Sequence, residues 1–192
     1  MASVVILAGG KSRRMGRDKL SLPLDGKTLL ESAVSKFRAV FENVYISVSD
    51  GSKYPEIDAQ KIADIFPGAG PLSGLHAALK MLSSEDVFLV AADLPFSNPL
   101  AAIRLIELCG DCDACLIRLP NGMLEPLFGF YRSSLIGVCE AAMQNGEFKM
   151  MKLFDNCKTR YVEPEELGQL WNDRLIFNVN YPEDFEELRK DN

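Results

Sequence analysis

The stretch Val4-Val5-Ile6-Leu7-Ala8-Gly9-Gly10-Lys11-Ser12-Arg13-Arg14-Met15-Gly16-Arg17-Asp18-Lys19 decides the fold class. Residues 4–7 are a short apolar run that breaks into glycines, which reads as a buried strand opening into a loop. From Leu7 to Lys19 the segment holds five basic residues and one acid. Glycines let backbone N–H groups approach a phosphate unobstructed, so a cationic loop after a strand suits a triphosphate. Two better-known phosphate loops are excluded by spacing. A P-loop needs glycine five residues before Gly10-Lys11, and Val5 stands there. Gly68-Ala69-Gly70 lacks the third glycine of a dinucleotide fingerprint.

Outward from this strand the pattern alternates. Residues 28–40 carry Leu29, Leu30, Ala33, Val34 and Phe37 at helical spacing. Strands are predicted over 44–48, 61–65 and 87–91, with a helix over 72–82 entered from Gly70-Pro71. In the second half, 114–118 and 127–131 read as strands, the direction of the second left open between parallel and antiparallel. Residues 133–143 and 182–189 read as helices. The acid-rich end of the chain, Glu183 through Lys190, reads as a solvated helix face. The whole implies an α/β fold: a three-layer, Rossmann-like arrangement with a mostly parallel central sheet and helices on both faces. Residues 1–192 read as one domain, with about 1–110 as a nucleotide-binding half and about 111–192 as an acceptor-binding half.

Bulk properties narrow the function. A net charge of −6 argues against a nucleic-acid-coating role. No apolar run approaches the length that crosses a bilayer, and the N-terminus lacks the basic lead of a signal peptide, so a cytoplasmic location is expected. Five cysteines, an odd number, argue against a disulfide framework. The spacing of Cys109, Cys112 and Cys115 resembles part of an iron–sulfur run, but lacks the fourth cysteine and the proline that follows it. The plainer reading is a helix end, a turn and a buried strand cysteine. The single histidine, His76, reads as structural.

In open α/β sheets ligands bind at the carboxyl ends of strands. Three motifs fall there: Gly9-Gly10, the turn Asp64-Ile65-Phe66-Pro67-Gly68-Ala69-Gly70-Pro71-Leu72-Ser73-Gly74, and Asp93-Leu94-Pro95. The rigid Pro/Gly turn can press its backbone against a base or ribose. Asp93, just beyond a buried strand, is a hard oxygen ligand suited to Mg2+. The alternative for Asp93 is capping a helix that begins near Ser97.

Together these segments resemble the molybdenum cofactor guanylyltransferase family (molybdopterin-guanine dinucleotide synthases) of the nucleotidyltransferase superfamily. The basic loop is similar to the superfamily signature, the Gly-Pro-Leu-x-Gly turn and the Asp-x-Pro follow in the expected order, and Phe177-Asn178-Val179-Asn180-Tyr181-Pro182-Glu183-Asp184 looks like the family's C-terminal segment. The resemblance spans nearly the whole chain. It implies that Leu7, Ala8, Gly9 and Gly10 meet a guanine nucleotide through the backbone and that Lys19 reaches its phosphates. It implies that Asp64, Gly70, Pro71, Leu72 and Gly74 line the base and ribose side, and that Asp93 holds Mg2+. Ser47 stands where members often carry Asn. Arg14, Glu125, Asn178 and Asn180 would face the pterin substrate, and Asp93, Lys19 and Arg13 would carry the catalysis. The implied reaction transfers GMP from GTP to molybdenum-molybdopterin, with transient contact to cofactor-synthesis or insertion proteins. The rivals are a cytidylyl or sugar-phosphate relative, a non-catalytic nucleotide-binding regulator and an iron–sulfur carrier. Ala8-Gly9, where cytidylyl relatives carry Ala-Ala-Gly, favours GTP.

Overall fold

A computed structural model describes residues 2–9, 18–24, 26–82 and 85–190. Strand β1 (Ser3–Leu7) is followed by a 3-10 turn, Lys19–Ser21, and a two-residue-per-strand hairpin, β2 (Pro23–Leu24) and β3 (Lys27–Thr28). Helix α1 (Leu29–Arg38) starts at a capping box: Thr28 Oγ1 accepts from the Glu31 amide at 3.1 Å, and Glu31 accepts from the Thr28 amide at 2.7 Å. That reciprocal pair satisfies two amides the first turn leaves open. Then come β4 (Val44–Val48), β5 (Gln60–Ala63), α2 (Pro71–Met81), β6 (Val87–Ala91) and α3 (Pro99–Leu108). The second half holds β7 (Ala114–Arg118), β8 (Leu124–Tyr131), α4 (Ile136–Gln144), β9 (Thr159–Val162), α5 (Pro164–Leu167) and α6 (Pro182–Lys190).

Seven strands form one sheet in the order β5-β4-β1-β6-β8-β7-β9. All neighbours run parallel except β8, which is antiparallel to both β6 and β7. The expected mostly parallel α/β sheet is therefore present, and the direction left open for 127–131 is antiparallel. That reversal has a consequence for function. The beginning of β8, not its end, lies beside the carboxyl end of β6, where Val90 pairs with Phe128. Glu125 and Leu127 are thus carried to the edge where ligands bind.

Alternation along the strands separates two cores. Val4, Ile6, Phe88 and Val90 pack with α1 and α3 on one face, and Val5, Leu7, Val87 and Leu89 pack with α2 and α4 on the other. Helix α6 is amphipathic: Phe185 and Leu188 are buried with Leu22, Leu29 and Val179. The solvated reading of the acidic C-terminus holds for only one side of that helix, because Phe185 and Leu188 recur at helical spacing. Strand β5 ends at Ala63, earlier than the predicted 65, and Ile65 is 46% exposed in the loop beyond it.

Candidate functional site

The carboxyl ends of the parallel strands open into a cleft of about 560 Å³, within the usual range for small-molecule sites. Leu7 at the end of β1 and Gly9 beyond it, Ser47 on β4, Asp64 beyond β5, Gly70, Pro71 and Gly74 at the start of α2, Asp93 beyond β6 and Lys19 all line it. The sequence motifs, scattered over the chain, therefore meet in one space. Ala8 and Leu72 sit behind this wall: both are fully buried, and the Ala8 amide donates to the Ser47 carbonyl at 2.9 Å. Gly10, Arg13 and Arg14 lie outside the described residues.

Gly74 explains how α2 comes so close. A Cβ there would stand 2.5 Å from Leu7 Cδ2 and 2.6 Å from Ser47 Oγ, so only glycine lets the helix rest on the ends of β1 and β4. The helix is entered from Gly70 at φ 63°, with Pro71 in its first turn. The Ser73 hydroxyl donates to the Phe66 carbonyl at 2.6 Å, closing the preceding turn. Burial pushes the Asp64 carboxyl above the usual aspartate range, partly offset by a hydrogen bond with Ser73 and by the charge of Lys53.

The other end of the cleft is built around Asp93. The Ala92 amide donates to the Leu7 carbonyl at 3.1 Å, extending the β1–β6 ladder, and the Leu94 amide turns back to Ala91 at 3.2 Å. Lys36 of α1 donates to the Pro95 carbonyl at 2.6 Å, and burial pulls that ammonium down from its usual pKa. The Arg174 guanidinium stacks 3.7 Å from the centre of the Phe96 ring. The helix that follows is capped by Asn98, whose side chain accepts from the Leu100 amide at 2.9 Å, with Pro99 in its first turn. Asp93 is therefore not the cap, and its carboxylate faces the cleft.

Lys19 joins three parts of the chain. Its Nζ is 2.5 Å from Asp93 Oδ2, 2.6 Å from the Val179 carbonyl and 3.4 Å from Asn180 Oδ1. The Val179 amide in turn donates to the Asp93 carbonyl at 3.0 Å. Asp184 accepts from the amides of Asn180 (2.7 Å) and Tyr181 (2.8 Å), which fixes the turn into α6. The C-terminal segment thus braces Lys19 and Asp93, but neither Asn178 nor Asn180, nor Glu125 of β8, is among the residues that line the cleft. Asn178 is half-buried in this segment. Glu125 accepts from the Leu127 amide at 2.9 Å, and burial, with Asp93's charge nearby, raises its carboxyl.

Sequence reasoning missed Leu20, Ser49, Lys53 and Ala91 as lining residues. Ser49 was recoverable, since strand alternation puts it on the side of Ser47. Lys53 was not, because it stands beyond β4 in a segment without periodicity. His76 is buried against the Phe66 ring, with Nε2 3.4 Å from Glu140 Oε1, a structural role. Cys109 caps the end of α3 and lies 3.3 Å from the Cys112 carbonyl, while Cys115 is buried in β7. Among the described residues no group of three or more His, Cys, Asp or Glu side chains could hold a metal. None of the helices among the described residues is long and apolar enough to cross a membrane.

Comparison with known proteins bears on the family and the fold. The family model of the MobA-like NTP transferase domain matches residues 4–161. A "Probable molybdenum cofactor guanylyltransferase" of Carboxydothermus hydrogenoformans is 33% identical over 98% of this chain and 95% of its own length. The molybdenum cofactor guanylyltransferase of Syntrophotalea carbinolica is 32% identical over 98% of this chain and 90% of its own. Among solved structures, the molybdopterin-guanine dinucleotide biosynthesis protein A of Archaeoglobus fulgidus superposes with a TM-score of 0.83 at 26% identity, covering 98% of this chain and 97% of that one.

Proposed function

This chain belongs to the MobA-like NTP transferase family, among the molybdenum cofactor guanylyltransferases, and on that premise we propose that it transfers GMP from GTP to the terminal phosphate of molybdenum-molybdopterin in the cytoplasm. The observation that carries the reading is the Lys19–Asp93 pair, 2.5 Å apart in the same cleft as a glycine-lined wall. The nucleotide lies along residues of the first 110 positions and the acceptor against the remainder. Hand-over of the product goes through transient contact with cofactor-synthesis or insertion proteins.

Asp93 fits a Mg2+ ligand. It is a hard carboxylate, with 21% of its side chain exposed, and it faces the cleft. Mg2+ is commonly bound by one or two carboxylates, with substrate phosphates and waters completing the shell. Bound there, it would supply charge neutralisation for the phosphates. The residues do the rest. Lys19 leaves its partners for phosphate oxygens and stabilises charge that grows in the transition state. Leu7 and Gly9 hold the nucleotide by backbone, and Asp64 accepts hydrogen bonds from the base and ribose side. Lys53, across from Asp64, meets the base's acceptor atoms. Glu125, Asn178 and Asn180 face the acceptor.

In the reaction an oxygen of the molybdopterin phosphate attacks the α-phosphorus of GTP. The bond between the α-phosphorus and the bridging oxygen breaks, and pyrophosphate leaves with that electron pair. The attacking oxygen is already anionic, so no strong general base is required. The difficulty is juxtaposing two polyanions, which the positioned Lys19 and the basic residues Arg13 and Arg14 address.

The test is calorimetric titration with GTP, CTP, ATP and UTP, each with Mg2+. GTP is expected to bind tightest. A preference for CTP or UTP would reassign the base, and binding of none of them would count against a working transferase.

A further inference from the structure

Tyr54 follows β4 in the excursion that leads to β5. It is the one non-glycine residue with positive φ (53°) among the described residues, a conformation unfavourable for a bulky side chain. Neighbouring turns hold it there. Asp50 accepts from the Ser52 amide at 3.0 Å and hydroxyl at 2.8 Å, the Lys53 amide donates to the Asp50 carbonyl at 3.0 Å, and the Ile57 amide donates to the Tyr54 carbonyl at 3.1 Å. The ring is buried in the core on the α1 face.

The strained backbone delivers the hydroxyl to the Asp18 carboxylate, beside the Ala8 carbonyl. The hydroxyl donates to Asp18 Oδ2 at 2.7 Å and lies 3.4 Å from the Ala8 carbonyl. Asp18 uses its other oxygen to accept from the Leu20 amide at 3.1 Å, capping the turn that carries Lys19. Ala8 and Asp18 flank the glycine-led basic segment, residues 9–17, on either side. Burial, reinforced by the hydrogen bond to Asp18, raises the phenol's pKa and keeps it a neutral donor.

We propose that Tyr54 is a positioning residue: its single O–H staples Asp18, at the far end of the basic segment, to the core beside Ala8 and so fixes where the Lys19 ammonium stands. The inference rests on the GMP-transfer reading for its effect on rate, but not for its effect on structure. A lysine stem has four flexible carbons, so its aim depends on where its backbone is held. A misplacement of about 1 Å at a reacting group can cost as much as a hundredfold in rate.

The experiment compares wild type with Tyr54→Phe, which keeps the buried ring and removes only the hydroxyl. Three readouts are taken: kcat for pyrophosphate release with GTP and molybdenum-molybdopterin, Kd for GTP, and hydrogen exchange at the Leu20 amide. Losing one hydrogen bond to a carboxylate is expected to lower kcat about tenfold while the GTP Kd moves less than about twofold. Leu20 exchange is expected to speed about tenfold as the cap loosens. Because Tyr54 acts through Asp18, the Asp18→Ala/Tyr54→Phe double variant is expected to be no slower than Asp18→Ala alone. An unchanged kcat, a loss carried by GTP affinity, or additive losses in the double variant would overturn the proposal. Unchanged Leu20 exchange would also overturn it, and that readout needs no substrate. A wild type that transfers no GMP would therefore refute the function, while hydrogen exchange at Leu20 would still decide for or against the staple.

Discussion

At the β6 end of the cleft Lys19 Nζ stands 2.5 Å from Asp93 and 2.6 Å from the Val179 carbonyl. At the β5 end Lys53 and Asp64 face the same space, and the Asp64 carboxyl is pushed up by burial and only partly eased by Lys53. The first end is a preformed ion pair held by three chain segments. On the proposed function, bringing in a metal and a triphosphate there would exchange partners rather than strip water from lone charges, which lowers the desolvation cost. The second end presents a half-buried carboxylate whose hydrogen bond with Ser73 and whose neighbouring Lys53 charge offset its burial only in part. That is the arrangement expected where donors on a base are recognised, since a site polar group left unpaired penalises the wrong ligand. The two ends should therefore fail differently, the first in turnover and the second in nucleotide affinity.

The largest effect is expected at the ion pair. Asp93→Ala should lower kcat by about 10²–10³-fold with little change in GTP affinity measured without metal, and Lys19→Ala should lose about 2–4 kcal/mol of transition-state stabilisation. Steady-state kinetics checks both, and near-normal turnover in either variant would erase the contrast between the ends. Next comes Gly74→Ala, because its new Cβ would meet Leu7 and Ser47. Overpacking of this kind costs about 1–3 kcal/mol, which a thermal melt would show as a Tm lowered by about 2–12 °C.

At the β5 end, Asp64→Asn should weaken GTP binding about tenfold, as expected for a lost charge-assisted hydrogen bond, while kcat at saturation changes little. The pH dependence gives the same contrast a sign. A carboxyl raised by burial takes up its proton at a higher pH than an exposed aspartate. Its acceptor charge is lost as pH falls through that raised value, so wild-type GTP affinity should decline there. The Asp64→Asn protein should lack this component of the decline. For folding the sign is opposite: the charged form is penalised in the native state, so Asp64's unfavourable contribution grows as pH rises from the ordinary aspartate range through the raised value. The smallest change is expected from Lys53→Met, about threefold in GTP affinity, by analogy with a partly exposed electrostatic contact. Equal weakening for all four nucleotides would place Lys53 on phosphate rather than base.

How far the site was legible in the sequence follows from where each signal is stored. Gly9 and Asp93 announce themselves because each follows an unbroken apolar run, and an abrupt glycine or acid at a strand end has few other meanings. The Asp64 to Gly74 turn carries its own punctuation in Pro67, Gly68, Gly70 and Pro71. Strand β9 was not legible: Thr159–Val162 is only partly apolar and is recruited by pairing with β7. The boundary of β5 was misjudged because Ile65 is apolar yet exposed, a residue local pattern cannot distinguish from core. Lys53, Tyr54 and the docking of Val179 on Asp93 depend on contacts between segments far apart in sequence, which no window of the chain contains.

If this cleft transfers the α-phosphoryl group of GTP, with its nucleoside, onto molybdenum-molybdopterin, the fate of each phosphate is fixed in advance. The decisive experiment incubates the purified protein with Mg2+, molybdenum-molybdopterin and GTP labelled with radioactive phosphorus at either the α or the γ position. Label from the α position is predicted in a dinucleotide product and label from the γ position in pyrophosphate. Label from the α position found only in free GMP or in unchanged GTP, with no dinucleotide formed, would contradict it.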